Sequence, residues 1–147
     1  MRMGILVFNQ QRDLKLSSRA VKALVQAVLS SEGVECGEVS VYFVSEKTIC
    51  QLHHDFFQDP SPTDCISFPL ETNPLSGEVF VCPKTAVKYA SEKRLDPYEE
   101  TALYVVHGLL HLLGYDDLTP AQRRIMRKKE KSCMDELNRL NISLSPL

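Results

Sequence analysis

Two histidines four residues apart carry the clearest chemical signal in the sequence. His107 and His111 lie on one face if their segment is helical, and two imidazoles at that spacing can bind one metal ion. Gly114 favours an end to the helix, because glycine enters the left-handed backbone conformation at little cost. Asp117 follows the turn and can approach the same point. The pattern predicts a metal site with ligands His107, His111 and Asp117 and a fourth position left for water.

The residue after the first histidine limits the chemistry of this site. The spacing His-x-x-x-His-x-x-Gly-x-x-Asp matches the zinc-binding frame of the metzincin proteases, whose third ligand is usually His. Those proteases have a glutamate directly after the first His as general base, whereas this chain has Gly108. A metal frame without that base argues against a peptidase and favours another hydrolytic chemistry, or none. Asp116 remains an alternative to Asp117 as the acidic ligand.

Composition predicts an ordinary globular protein. The chain has 147 residues, 44% of them hydrophobic and 24% charged, which fits a single domain over residues 1–147. Its five cysteines contain no Cys-x-x-Cys pair, which favours reduced thiols in a cytoplasmic protein. We recognise no signal peptide or membrane span, so no membrane partner is expected. The net charge of −2 gives no global sign of nucleic-acid binding.

One local run of charge is an exception. Residues 123–131 hold six cations and one anion, and Arg123, Arg124, Arg127 and Lys128 are candidate contacts for RNA phosphates. The alternative is that these side chains form the solvated face of the last helix.

Periodicity and capping residues predict how the site is positioned. We expect strands at 4–8, 39–44, 65–68 and 78–82. Loops or turns are expected at 58–64 and 72–77. Helices are expected from Ser17 or Ser18 to Glu32, after Ser45, at 84–94, from Pro97 to Leu113 and from Pro120 to Leu140. The 97–113 helix is apolar on nearly every side, so it should be the buried central helix. Because strands and helices do not strictly alternate, an α+β fold is predicted.

Three blocks resemble the YbeY family of bacterial rRNA maturation factors. Residues 107–117 follow the family signature His-Gly-x-Leu-His-Leu-x-Gly-Tyr-Asp-His at every position but the last, where Asp117 stands in place of His. Residues 62–69 (Pro-Thr-Asp-Cys-Ile-Ser-Phe-Pro) resemble the family's Pro-Thr-Asp-Val-Leu-Ser-Phe-Pro, and residues 77–79 resemble its Gly-Asp-Ile. Met126 and Glu130 stand where the last family helix often has Met and Glu.

The resemblance implies a mixed four-stranded sheet around a central metal-bearing helix, with a metzincin-like zinc frame and one bound Zn²⁺. It also implies a metal-dependent endoribonuclease acting on ribosomal RNA, at the 3′ end of the 16S RNA and in ribosome quality control, with the small ribosomal subunit as partner.

Two residues depart from the family pattern. Asp117 is a competent zinc ligand, but its negative charge makes the site less positive than a third histidine would. A metal ion in a less positive site should lower the pKa of a bound water molecule less. By spacing, Phe57 stands where the family usually has an arginine that is proposed to support catalysis. An arginine offers a planar fork to phosphate, whereas phenylalanine offers stacking on a base. His54 is a candidate substitute for that arginine.

Three functions are consistent with these observations. The first is a zinc-dependent, single-strand-specific endoribonuclease in rRNA maturation, in which the metal activates water and stabilises charge on phosphate oxygens; the sequence names no side-chain general base. The second is a ribosome assembly factor with a mainly structural zinc and little cleavage activity, as Phe57 suggests. The third, a zinc peptidase, is disfavoured by Gly108.

Overall fold

The computed structural model describes residues 4–58 and 63–146. The elements in chain order are β1 (Gly4–Gln10), α1 (Ser18–Ser31), β2 (Cys36–Val44), α2 (Glu46–Phe57), β3 (Cys65–Thr72), β4 (Leu75–Val81), α3 (Pro83–Lys93), α4 (Pro97–Leu112) and α5 (Pro120–Arg139). Among the residues in these two ranges, no helix has both the length and the apolar composition needed to cross a membrane.

The sheet is four-stranded and mixed, in the order β1-β2-β4-β3. Strands β1, β2 and β4 run parallel, whereas β3 pairs antiparallel with β4 and forms one edge. The predicted α+β fold with a mixed four-stranded sheet is confirmed.

Helix α4 is the buried centre of the molecule, as predicted. It contacts β3, β4, α1, α3 and α5, and nine of its 16 residues are buried. Its side chains join a core to which β2, β4 and the buried face of α1 also contribute. His107 and His111 are about a quarter exposed, with 24% and 26% of their side chains accessible. The two histidines therefore lie on a face of α4 that is partly open to solvent.

The predicted helix starts agree with the caps that the structure contains. Ser17, Ser45, Asp96 and Thr119 each accept a backbone N–H at the start of their helix. Thr119 also forms a reciprocal capping box with Gln122, which a threonine followed three residues later by glutamine favours.

The predicted end of β3 is wrong. The strand predicted at 65–68 ends just before Pro69, a residue that usually terminates a strand, but β3 continues to Thr72 with a register irregularity between Pro69 and Glu71. Proline is tolerated because β3 is an edge strand, where the missing N–H deprives no neighbouring strand of a hydrogen bond. The predicted turn at 72–77 is also too long, because β4 already begins at Leu75. Most of the predicted loop at 58–64, namely residues 59–62, lies outside the described residues.

Candidate metal centre

The end of α4 turns the chain back towards its own histidines. Helix α4 ends at Leu112, and Gly114 follows with a φ of +99°, a conformation that residues with side chains adopt only with strain. Two backbone hydrogen bonds hold this turn, from the Gly114 N–H to the His111 carbonyl and from the Tyr115 N–H to the Leu110 carbonyl, each 3.0 Å long. The turn brings Asp117 back alongside α4.

His107, His111 and Asp117 converge on one point. The two histidine Nε2 atoms lie 3.0 Å apart, and Oδ2 of Asp117 lies 3.4 Å from the His107 Nε2 and 3.5 Å from the His111 Nε2. Ligands about 2.0–2.1 Å from a tetrahedral zinc stand roughly 3.3 Å from one another. The three donor atoms therefore have the separations that a small tetrahedral cation requires. Asp116, the alternative ligand, is exposed and is not part of this cluster.

The far side of the His107 ring is held by α5. Nδ1 of His107 lies 2.5 Å from Oε2 of Glu130, whose side chain is mostly buried. Burial disfavours the charged imidazole, but the carboxylates of Glu130, Asp64 and Asp117 outweigh it and raise the pKa of His107. When Nδ1 carries a proton and donates it to Glu130, the lone pair of Nε2 faces Asp117 and His111, as a metal ligand requires.

A second network fixes the turn that carries Asp117. The Tyr115 hydroxyl donates to Oε1 of Glu32 over 2.8 Å, and Nζ of Lys129 donates to Oε2 of the same carboxylate over 3.0 Å. The Lys129 ammonium also lies 5.4 Å from the centre of the Tyr115 ring. These three residues connect the end of α1, the α4–α5 turn and α5, so they anchor the turn two residues before Asp117.

Gly108 has no side chain that could act as a base, and the packing around it leaves no room for one. A Cβ at this position would overlap Cγ1 of Val79 and would lie 2.7 Å from Sγ of Cys65. The Ser67 hydroxyl donates to the Gly108 carbonyl over 2.9 Å. Helix α4 therefore lies so close to β3 and β4 that the glutamate of a metzincin protease has no room here.

A cleft of about 470 Å³ opens onto the cluster. Its described lining comes from α2, from the α4–α5 region and from β3 with the residues just before it: His53, Phe57, Thr63, Asp64, Cys65, Ile66, Ser67, Pro69, His107, His111, Asp116 and Asp117. Within this described lining there are three carboxylates and no lysine or arginine. Burial raises the pKa of the Cys65 thiol, and Cys65 is not part of the three-residue cluster that could hold a metal ion.

The histidine that α2 brings to the cleft is His53. His54 is exposed, pairs with Asp55 at 3.4 Å and does not line the cleft, so nothing in its position supports the suggested role as a substitute arginine. Phe57, 56% exposed, lies at the cleft with its ring 5.5 Å from that of His53. Phe57, identified from the sequence, is therefore a cleft residue, whereas the cleft-lining histidine of α2 is His53 and not the suggested His54.

The four candidate RNA contacts of α5 divide into two groups. Arg123 and Arg127 line a smaller cavity that also includes His107, Asp117 and Glu130. Arg124 and Lys128 are exposed and lie on the next stripe of the helix, about a quarter turn away. Glu130 is the residue of this region whose role sequence reasoning missed, since only its family position had been noted.

Comparison with known proteins points to one family. Residues 6–138 match the family model described as Endoribonuclease YbeY. Endoribonuclease YbeY of Protochlamydia amoebophila is 50% identical over 139 residues, covering 91% of this chain and 93% of that protein. Endoribonuclease YbeY of Chlamydia abortus is 39% identical over 152 aligned residues, covering 97% and 96%. The solution structure of TM1509 from Thermotoga maritima matches with a TM-score of 0.64 and 28% identity, covering 90% of this chain and 88% of that one.

Proposed function

Because the chain belongs to the Endoribonuclease YbeY family, we propose that it is a zinc-dependent endoribonuclease that cuts single-stranded ribosomal RNA. Family membership makes the chain an endoribonuclease; the ion, the ribosomal substrate and the site residues are the proposal. The cellular role is maturation of the 16S 3′ end and ribosome quality control, with the small ribosomal subunit as partner.

The observation that carries the proposal is the triangle of donor atoms on His107, His111 and Asp117, with sides of 3.0–3.5 Å. Two imidazoles and one carboxylate are a ligand set that zinc accepts in catalytic sites, with one coordination position left open. When bound, the cation would lower the pKa of a water molecule at that position and offset charge on phosphate oxygens.

The protein's own residues prepare the cleft for that chemistry. Glu130 orients the His107 ring, and the Tyr115–Glu32–Lys129 network holds the turn of Asp117. Phe57 presents an exposed ring at the cleft on which an unpaired base can stack. Stacking of this kind requires a base that is free of a duplex, which accounts for a single-strand preference.

An RNA cleavage assay tests the proposal. Protein loaded with one zinc per chain should cut an RNA that contains the 16S 3′ end while it is single-stranded, and should not cut it once a complementary strand is annealed. A chelator or His111→Ala should abolish cleavage, and added zinc should restore it only to the chelated wild type. Cleavage that a chelator leaves unchanged would refute the metal-dependent mechanism.

A second function is favoured by the charge of the cleft. Its described lining contains three carboxylates and no lysine or arginine, so the cleft itself offers no permanent cation to a phosphate. This supports an assembly factor with a mainly structural zinc and little cleavage activity. Zinc-loaded protein that sediments with small ribosomal subunits but cuts no single-stranded RNA would establish this alternative.

A further inference from the structure

The smaller cavity on α5 combines two arginines with the candidate metal cluster. It has a volume of about 120 Å³ and is lined by His107, Asp117, Arg123, Met126, Arg127 and Glu130. The large cleft and this cavity share His107 and Asp117, so the two spaces meet at the cluster. The positive charge that the described lining of the cleft lacks is therefore present directly beside it.

One arginine of the cavity is held in place by the backbone. Nη1 of Arg123 donates to the Leu118 carbonyl over 3.0 Å and to the Asp117 carbonyl over 3.4 Å. These contacts leave the positive charge of the guanidinium unneutralised, because carbonyl oxygens carry no net charge. Arg123 thereby connects α5 to the turn that carries Asp117 and keeps a cation at the mouth of the cavity.

The carboxylates of the cavity do not neutralise its arginines. Glu130 and Asp117 direct their oxygens to the histidines of the cluster. Within the described residues, neither Arg123 nor Arg127 forms an ion pair, whereas Lys129 pairs with Glu32 and Lys131 with Asp135. Arg127 is exposed, so its planar fork of donors is available to an anion from solvent.

We propose that this cavity is a phosphate subsite of the RNA-binding surface, with Arg127 as the direct contact and Arg123 as supporting charge. It takes a backbone phosphate next to the one that is cut, and it supplies from α5 the cation that Phe57 does not provide from α2. This inference rests on the proposed endoribonuclease function. It separates Arg123 and Arg127 from Arg124 and Lys128, which do not line the cavity.

The test compares two arginines of the same helix. Binding of a short fluorescein-labelled single-stranded RNA to zinc-loaded protein is followed by fluorescence anisotropy. Arg127→Gln should weaken the Kd about tenfold, as for the loss of one charge-assisted contact, and should reduce the dependence of log K on log salt by about 0.7. Arg124→Gln changes the net charge equally and should weaken the Kd less than about twofold. The Kd of Arg127→Lys for the RNA should lie between the values for wild type and for Arg127→Gln.

The possible results separate the subsite from the proposed function. Equal effects of Arg127→Gln and Arg124→Gln on the Kd would overturn the subsite, and so would a loss of bound zinc in Arg127→Gln, because the arginine would then be structural. If wild type cuts no RNA but Arg127→Gln still weakens binding selectively, the subsite stands and the cleavage function fails. If wild type does not bind the RNA, both fail.

Discussion

Nδ1 of His107 on α4 lies 2.5 Å from Oε2 of Glu130 on α5, although the two residues are 23 positions apart in the sequence. Nε2 of the same ring is turned towards His111 and Asp117. A carboxylate in this position fixes the tautomer and direction of a metal-binding imidazole and makes it a better ligand. Glu130 is thus a positioning residue for the candidate metal centre.

Replacement of Glu130 should weaken metal binding. Glu130→Gln keeps the shape of the side chain but removes the charge, and we expect zinc affinity to fall about 10- to 100-fold. Competition with a chromophoric chelator measures this, and NMR of the His107 ring nitrogens in the metal-free protein reports the tautomer. Glu136→Gln is the control, because Glu136 pairs with Arg139 near the end of α5. Equal zinc affinities of Glu130→Gln and wild type would contradict a positioning role.

Gly108 should not tolerate a methyl group. Alanine in a helix interior is normally about 1 kcal/mol more favourable than glycine, but a Cβ here would overlap Val79, and overpacking costs about 1–3 kcal/mol. We therefore expect Gly108→Ala to lower the melting temperature despite its better helix propensity. Val79→Ala should cost less in the Gly108→Ala background than in wild type. A variant Gly108→Ala that melts at or above the wild-type temperature would show that α4 has room to move.

The Tyr115 hydroxyl should support both stability and metal binding. Tyr115→Phe removes the 2.8 Å hydrogen bond to Glu32, and loss of a bond to a charged group costs about 1.5–3 kcal/mol. Because the turn that follows carries Asp117, zinc affinity should fall as well. The effects of Tyr115→Phe and Glu32→Gln should be less than additive in thermal denaturation. Strict additivity would mean that the two residues act separately.

Glu100 should make stability depend on pH. Burial raises its pKa, and the nearby Asp64 and Glu130 add to the effect, while a hydrogen bond from Tyr104 partly opposes it. A pKa that is higher in the folded than in the unfolded state gives stability that is complete below the unfolded pKa and is lost as pH rises through the folded pKa. Glu100→Gln should therefore raise the melting temperature of metal-free protein near pH 7 and leave it unchanged near pH 3. A gain of equal size at both pH values would contradict this explanation.

Contacts between residues close together in the sequence made the helices predictable. The helix starts and the apolar face of α1 depend on residues three or four positions apart: Ser17 and Thr119 cap their helices through contacts of this kind, and the buried residues of α1 recur at helical spacing. The convergence of His107, His111 and Asp117 could be foreseen for the same reason, since one helical turn and one glycine bend connect all three. Their role as ligands remains a prediction.

Features that depend on distant parts of the chain could not be predicted in this way. Strand β3 passes through Pro69 because β3 is at the edge of the sheet, which its own residues do not reveal. Glu130 reaches His107 from a separate helix, and no spacing rule covers such a contact. The choice between His53 and His54 depends on the rotation of α2 about its axis, which only the packing of that helix determines.

His107, His111 and Asp117 are proposed to hold one metal ion, and the metal content of purified protein tests this most directly. Purified wild type and Asp116→Ala should each contain one zinc per chain after saturation and dialysis. His107→Ala and Asp117→Ala should lose bound zinc, because each removes one of the three ligands. Asp116→Ala is the matched control for Asp117→Ala, since the two neighbouring residues have the same charge. Zinc retained by Asp117→Ala, or lost from Asp116→Ala instead, would contradict the account.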